Sequence, residues 1–527
     1  MAGTVAALTR LAGAGFVLAR EGAMSLVDAE ALPAGPRAVV RLARLFERRS
    51  VSEGDRAERL TAALNRLGPS YVKLGQFLAT RPDVVGATIA EALGALHDEM
   101  EPFPDAAARA TIEKALGKPV DGLFASFSPP VAAASIAQVH KATVAGPPGE
   151  GRAVAVKVLR PGIRRRFQRD LDTFYAGARL IERIDPASRR LRPVAAVDTL
   201  ARSVTIEMDL RLEAAALSEM AELTAGDQGY RVPAVLWERT ARDVLTLEWV
   251  DGIKLWDVKA LRAAGHDLPL IARRLMQSFL RQALRDGFFH ADMHQGNFFV
   301  DAAGDIVAVD FGIMGRLGRA ERRFLAEILY GFVRRDYRRV AEVHFEAGYV
   351  PDRHAIDDFA QALRAIGEPI HGHKASDISM ARLLALLFEV TEMFDMQTRP
   401  ELLLVQKTMV VVEGVARSLD RDFDMWSTSE PILADWIEHH LGPAGQLELA
   451  AEGVGALGRL AGELPRLAER AERLSAEFAE MGERGIRLDP ETIEGIARSE
   501  ARSGRWGRIA LVVIAAVAVV VGLRMVL

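Results

Sequence analysis

The sequence predicts an α+β fold of two lobes, a small β-rich lobe followed by a larger helical one. Two observations carry this. Short β-rich runs crowd the stretch from 118 to 250, whereas the pattern from 251 to about 435 is nearly all helical. Across both lobes, four fragments fall in order: Val154-Ala155-Val156-Lys157, then Glu213, then His290-Ala291-Asp292 with Asn297, and last Asp310-Phe311-Gly312.

Residues 1–57 read as an N-terminal helical segment. In it Arg37, Arg41, Arg44 and Arg48 form a helical stripe, suited to an anionic membrane surface or to a solvated face. Residues 58–117 are helical and carry Gly68-Pro69-Ser70-Tyr71-Val72-Lys73-Leu74-Gly75-Gln76. In the β-rich lobe, 118–250, strands are expected at 123–127, 136–144 and 152–159, punctuated by Pro129-Pro130 and a Gly-Pro-rich loop. Helical stretches at 161–184 and 194–223 follow. Strands at 235–237 and 244–250 close the sheet, and Asp251-Gly252 is its exit. The helical lobe, 251–435, is interrupted by a loop and short strands at 290–310.

Two C-terminal segments remain. In 436–505, Leu457, Leu460, Leu464, Leu467, Ala471, Leu474, Phe478 and Met481 alternate spacings of 3 and 4. That seam suits packing on the body or a partner helix, or a homodimeric coiled coil; Pro465 kinks it. At 506–527 an unbroken apolar run, 509–523, follows Arg502, Arg505 and Arg508. A transmembrane helix is expected there, as a single-pass C-terminal anchor in the cell inner membrane with the rest of the chain in the cytoplasm. A buried terminal helix is the alternative.

Composition narrows the chemistry. A chain of 527 residues holds more than one ordinary domain. A net charge of −4 makes no case for nucleic acid as a partner, and the lack of cysteine excludes disulfides, thiolate metal sites and cysteine nucleophiles.

The four fragments supply what protein-kinase-type phosphotransfer needs, in its order. Lys157, on an alternating strand, can reach the α- and β-phosphates of ATP. A lysine among valines calls for a counter-charge, and Glu213 on a later helix is its natural partner. Asp292 would orient the acceptor or a water. Asn297, five residues on, and Asp310 offer hard oxygen ligands for Mg²⁺. A metallohydrolase built on His290, Asp292 and His294 is the rival reading, but no supporting cluster stands at a useful spacing.

Two features depart from an ordinary protein kinase. Where a glycine-rich phosphate loop should precede the lysine strand, the chain has Ala132-Ala133-Ala134-Ser135, whose Cβ atoms restrict backbone approach to phosphate. After Gly312 the chain runs almost directly into a helix from Arg319, without room for a long peptide-presenting segment.

Together with Lys73-Leu-Gly75-Gln76, the alanine loop running into Ile136-Ala137-Gln138-Val139-His140, the run from Val156 to Gly162, Glu207-Met-Asp209 and Gly287-Phe288-Phe289-His290-Ala291-Asp292, this pattern resembles the UbiB family of atypical kinases over roughly residues 60–435. The resemblance implies a role in ubiquinone biosynthesis. It also implies a lid over the site formed by Lys73, Gln76, Glu207 and Asp209. The nucleotide-contacting set it implies is Val131, Ala132, Ala133, Ala134, Ser135, Ile136, Ala137, Gln138, Val139, Lys157, Glu213, Glu248 and Val250. The expected partners are membrane lipid, isoprenoid intermediates and ubiquinone-biosynthesis enzymes. Two alternatives stand beside this reading. One is a direct polyprenylphenol hydroxylase, for which no flavin, haem or iron site is evident; the other is a nucleotide-binding pseudokinase scaffold.

Overall fold

The computed structural model describes residues 2–23, 56–79, 100–184 except 148, 192–368 and 400–442, with scattered positions between these blocks. These residues belong to one compact unit, Met1–His439, apart from the last few. The basic stripe at 37–48, the seam at 457–481 and the apolar run at 509–523 fall wholly or mostly outside the described residues.

Among the described residues, the unit opens with the helices α1 (Ala2–Arg20), α2 (Arg56–Leu67), α3 (Pro69–Ala79) and α4 (Asp105–Leu116). The turn between α2 and α3 is Gly68, whose φ of +103° an L side chain rarely adopts, and Pro69 then starts α3. On α3, Gly75 is a packing requirement. A Cβ there would come within 2.8 Å of both Leu64 and Leu96.

The β-rich lobe is an antiparallel sheet ordered β1-β2-β3-β5. Its first strands are β1 (Phe124–Ala133), β2 (Ala137–Val144) and β3 (Ala153–Leu159). Strand alternation sends Val154, Val156 and Val158 into a core with Phe103, Ile112, Phe124 and Val144. Ala155 and Lys157 therefore face the other side. Next come α5 (Ile163–Ile184), α6 (Pro193–Glu207) and α7 (Leu210–Leu223), the short β4 (Tyr230–Arg231) and β5 (Val244–Glu248). The long helix expected at 194–223 is broken at Asp209. Its carboxylate accepts the Arg211 amide as the N-cap of α7, ending one helix and starting another. The strand expected at 235–237 is reduced to a single bridge, Val235 to Leu247, before a 3₁₀ turn.

In the helical lobe, β6 (Gly252–Lys254) precedes α8 (Leu268–Leu280), whose buried stripe includes Ile271, Leu275, Met276 and Phe279. A wide turn, Arg281–Asp286, leads to β7 (Phe288–His290), β8 (Phe298–Asp301), β9 (Ile306–Ala308) and β10 (Met314–Arg316). These form a sheet ordered β4-β9-β8-β6 and a ribbon of β10 with β7. The helices α9 (Arg319–Val333), α10 (Tyr337–Glu346), α11 (Ile356–Gly367), α12 (Pro400–Leu419) and α13 (Met425–Leu441) complete the lobe.

The two-lobed arrangement agrees with the sequence, but the transmembrane helix and single-pass inner-membrane anchor must be corrected. Among the described residues, no helix is long and apolar enough to cross a membrane. The run at 509–523 lies outside them, so no element stands for the span.

His344 on α10 gives the helical lobe a pH dependence. It is buried against Tyr349 and Phe359, with Nδ1 bonded to the Val340 carbonyl at 2.7 Å. Burial disfavours its charged form and holds its pKa at about 4, against 6.5 for an exposed imidazole. Below pH 6.5 the unfolded chain takes up the proton first, so stability falls as pH drops towards 4. The loss attributable to this group is roughly 3 kcal/mol over that window. Denaturant titrations from pH 7 to 4 should show this extra slope in the wild type and its absence in His344→Phe.

Candidate active site

The site starts from one lysine in the middle of a sheet. Lys157 lies opposite Val139 on β2 and Leu245 on β5, which fixes its face. On α7, Leu210, Ala214, Leu217 and Met220 bury one side against the lobe, and Glu213 shares that side. The geometry makes the pair: Lys157 Nζ donates to Glu213 Oε1 at 2.7 Å and Oε2 at 3.0 Å, and to Asp310 Oδ2 at 3.4 Å. Burial alone would lower the lysine pKa, yet the Asp310 and Glu213 charges hold it above its ordinary value. Burial raises that of Glu213, against the pull of Lys157. Burial acts in the same upward sense on Asp310, but Lys157, the Gly312 amide and Lys73 bring its carboxyl down to about 2. Asp310 is thus the ready anion of the cluster, and its side chain is 46% exposed.

The loop after β7 carries Asp292 and Asn297. His290 is fully buried, packed between Phe298 and Phe311. Its Nδ1 accepts the Asp292 amide at 3.1 Å, so the ring is neutral with its proton on Nε2; burial, its main influence, lowers its pKa. Asn297 Nδ2 donates to the Asp292 carbonyl at 3.0 Å, which leaves the Asn297 amide oxygen free for a cation. Lys254 Nζ holds the Gly296 carbonyl at 3.0 Å. The metallohydrolase alternative has no support here. His290 is walled in by rings, exposed His294 turns its Nδ1 to the Gly296 amide, and among the described residues no group of three or more His, Asp or Glu could hold a metal.

The alanine loop is a tight hairpin tip. Ala132 pairs with Val139 and Ala133 with Gln138, and the Ala134 amide donates to the Ala137 carbonyl at 2.8 Å. Ala132, Val139 and Ala137 therefore share the face of Lys157. The side chain of Gln138 lies on the other face: it accepts the Phe103 amide and donates to His140 Nε2, both at 2.9 Å, while His140 Nδ1 donates to the Ser128 carbonyl. Arg160 adds a clamp, donating to the Ala134 and Glu101 carbonyls. Gln138 and His140 occupy the same alternation as buried Ala142 and Val144; polar residues at core positions of β2 were the signal in the sequence for this network.

Glu248 lies at the exit of the sheet, but its side chain is engaged elsewhere, with Oε1 paired to Arg231 at 3.1 Å and Oε2 accepting the Ala234 amide. Val250 beside it is buried. Arg231 also reaches Asp301 at 3.1 Å, tying the strand exit to the helical lobe, a link the sequence did not disclose.

Of the lid residues, the structure joins Lys73 to Glu207, Nζ to Oε2, at 2.7 Å with both side chains nearly buried. Gln76 lies half-buried on the same helix. Asp209 instead caps α7 and pairs with Arg211 at 2.6 Å and Arg242 at 3.7 Å. Between β10 and α9 stand only Leu317 and Gly318, so the short segment after Asp310-Phe311-Gly312 matches the sequence.

A strand lysine paired to a helix glutamate, with an Asp/Asn loop and an Asp-Phe-Gly loop below it, defines a kinase-like domain. The sequence model of the ABC1 atypical kinase-like domain matches residues 95–344, and that of the UbiB helical domain matches 363–424. The chain is 40% identical to the "Probable protein kinase UbiB" of Marinobacter nauticus over 432 residues, 81% of this chain and 78% of that protein. It is also 40% identical to the protein of the same description from Xanthomonas oryzae pv. oryzae, over 81% of this chain and 79% of that one. A solved structure of Rv3197 with erythromycin, from Mycobacterium tuberculosis, overlays with a TM-score of 0.49 at 24% identity, covering 75% of this chain and 98% of that one. The chain belongs to the UbiB family of atypical kinase-like proteins.

The Lys157–Glu213 pair sets a stability test. Lys157→Met leaves a buried carboxyl without its cation and should destabilise the fold by roughly 3–5 kcal/mol. Lys157→Met with Glu213→Leu, which removes both charges, should recover most of that loss in chemical denaturation.

Proposed function

We propose that this chain is an atypical kinase or ATPase that uses Mg·ATP in support of ubiquinone biosynthesis. The observation that carries this is the convergence of Lys157, Glu213 and Asp310 within 3.4 Å. In this reading Lys157, held by Glu213, binds the α- and β-phosphates. Asn297 and Asp310 hold Mg²⁺; they fit it as hard oxygen donors, one of them a carboxylate already ionised. Bound Mg·ATP supplies the phosphoryl group and neutralises its charge. Asp292 orients the acceptor or takes its proton, and Ala132, Ala137 and Val139 line the face towards the nucleotide.

The acceptor is water, an isoprenoid intermediate or a protein of the pathway. The short stretch from Gly312 to α9 and the Lys73–Glu207 bridge favour a small acceptor over an extended peptide, since neither leaves a platform for a bound strand. The ubiquinone assignment rests on family membership.

Asp310→Asn should abolish Mg²⁺-dependent ATP binding, because the amide removes the principal anionic ligand of the metal. Thermal-shift titration with Mg·ATP measures this, and a shift equal to that of the wild type would remove Asp310 from the site.

A further inference from the structure

The catalytic-loop candidate Asp292 follows Ala291, whose peptide groups are held from two sides. The Ala291 amide donates to the Ile313 carbonyl at 3.1 Å, just beyond Asp310-Phe311-Gly312. The Ala291 carbonyl accepts from Thr408 Oγ1 at 3.1 Å, across 117 positions of sequence. Thr408 lies on α12 and is 1% exposed.

That hydroxyl has one proton and two acceptors in range, since the Leu404 carbonyl one turn back is at 2.8 Å. The two carbonyls differ in need. Leu404 O already receives the Thr408 amide in the regular i to i−4 pattern of the helix. The Ala291 carbonyl lies in a buried loop outside any helix, where an unmet acceptor is unfavourable. With both acceptors in range, the hydroxyl bridges the helix carbonyl and that of Ala291.

We propose that Thr408 is a positioning residue: through the Ala291 carbonyl it fixes the loop that carries Asp292 and Asn297, and through Ala291–Ile313 it keeps that loop in register with Asp310. The helical domain at 363–424 thereby completes the site of the domain at 95–344. This rests on the phosphotransfer reading of Asp292. Among the described residues, no hydrogen bond or ion pair joins Thr408 to Lys157, Glu213 or Asp310, so nucleotide binding and turnover should separate on its removal.

The full chain carries the test, with Thr408→Val as the isosteric loss of the hydroxyl and Thr408→Ser as its conservative rescue. Turnover of Mg·ATP, nucleotide affinity, melting temperature and amide exchange over 290–297 are measured for each. Thr408→Val should lower kcat about tenfold, as expected for a small displacement of a catalytic carboxylate. Its nucleotide affinity should stay within about twofold of wild type, and exchange over 290–297 should quicken. Thr408→Ser should restore both kcat and protection. The proposal is overturned if Thr408→Val keeps wild-type kcat and exchange, if Thr408→Ser fails with it, or if affinity and kcat fall together. A wild type without turnover would overturn the phosphotransfer reading. The exchange comparison then decides the anchoring alone, because quicker exchange in Thr408→Val and rescue by Thr408→Ser do not require activity.

Discussion

The ion pair of Lys157 and Glu213 is the constraint on which the rest of the site depends. A buried ammonium and a buried carboxylate are tolerated only together, so the pair dictates that α7 sit against β3 with Glu213 facing inward. Asp310, 3.4 Å away from the same ammonium, draws the start of the Asp-Phe-Gly loop to that point. Sheet, helix and Asp-Phe-Gly loop are thus joined by one cation. Val154, Val156 and Val158 face the opposite side of the strand, where they anchor it in the core of the lobe.

A second ion pair lies beside the first. Lys73 and Glu207 join α3 to the C-terminal end of α6, and the charge of Lys73 is felt at Asp310, so this pair is coupled electrostatically to the site. Asp209 shows how two acids two residues apart take different parts. The helix break that frees Glu207 for Lys73 is made by Asp209 as an N-cap. Gly75 lets α3 settle closely on Leu64 and Leu96, because a methyl group there would force the helices apart.

The lower half of the site is held by backbone contacts from outside it. Neutral His290 receives the Asp292 amide, Lys254 holds the Gly296 carbonyl, and Thr408 holds that of Ala291. On the upper side the alanine hairpin is clasped from behind by Gln138, Arg160 and the strand-like segment at 100–103. The alanines thus lie in a braced hairpin, whose Cβ atoms leave the backbone less conformational freedom than glycines would.

The sequence alone determined the kinase-like set of residues and its order. Lys157 in a valine strand requires a partner, Asp292 and Asn297 stand at the spacing of a kinase catalytic loop, and the short run from Gly312 to Arg319 leaves no room for a long segment; each is a local property legible in residue type and spacing. It also made 509–523 read as a membrane span, and among the described residues no helix bears that out. What only the tertiary structure decided are the choices among equally charged or equally polar groups. Glu207 and not Asp209 receives Lys73, the side chain of Glu248 turns to Arg231, Gln138 points to Phe103, and Thr408 reaches Ala291 from 117 residues away. Such pairings depend on which face of a strand is buried and where a helix ends, and those follow from the packing of distant segments, which no local window of sequence contains.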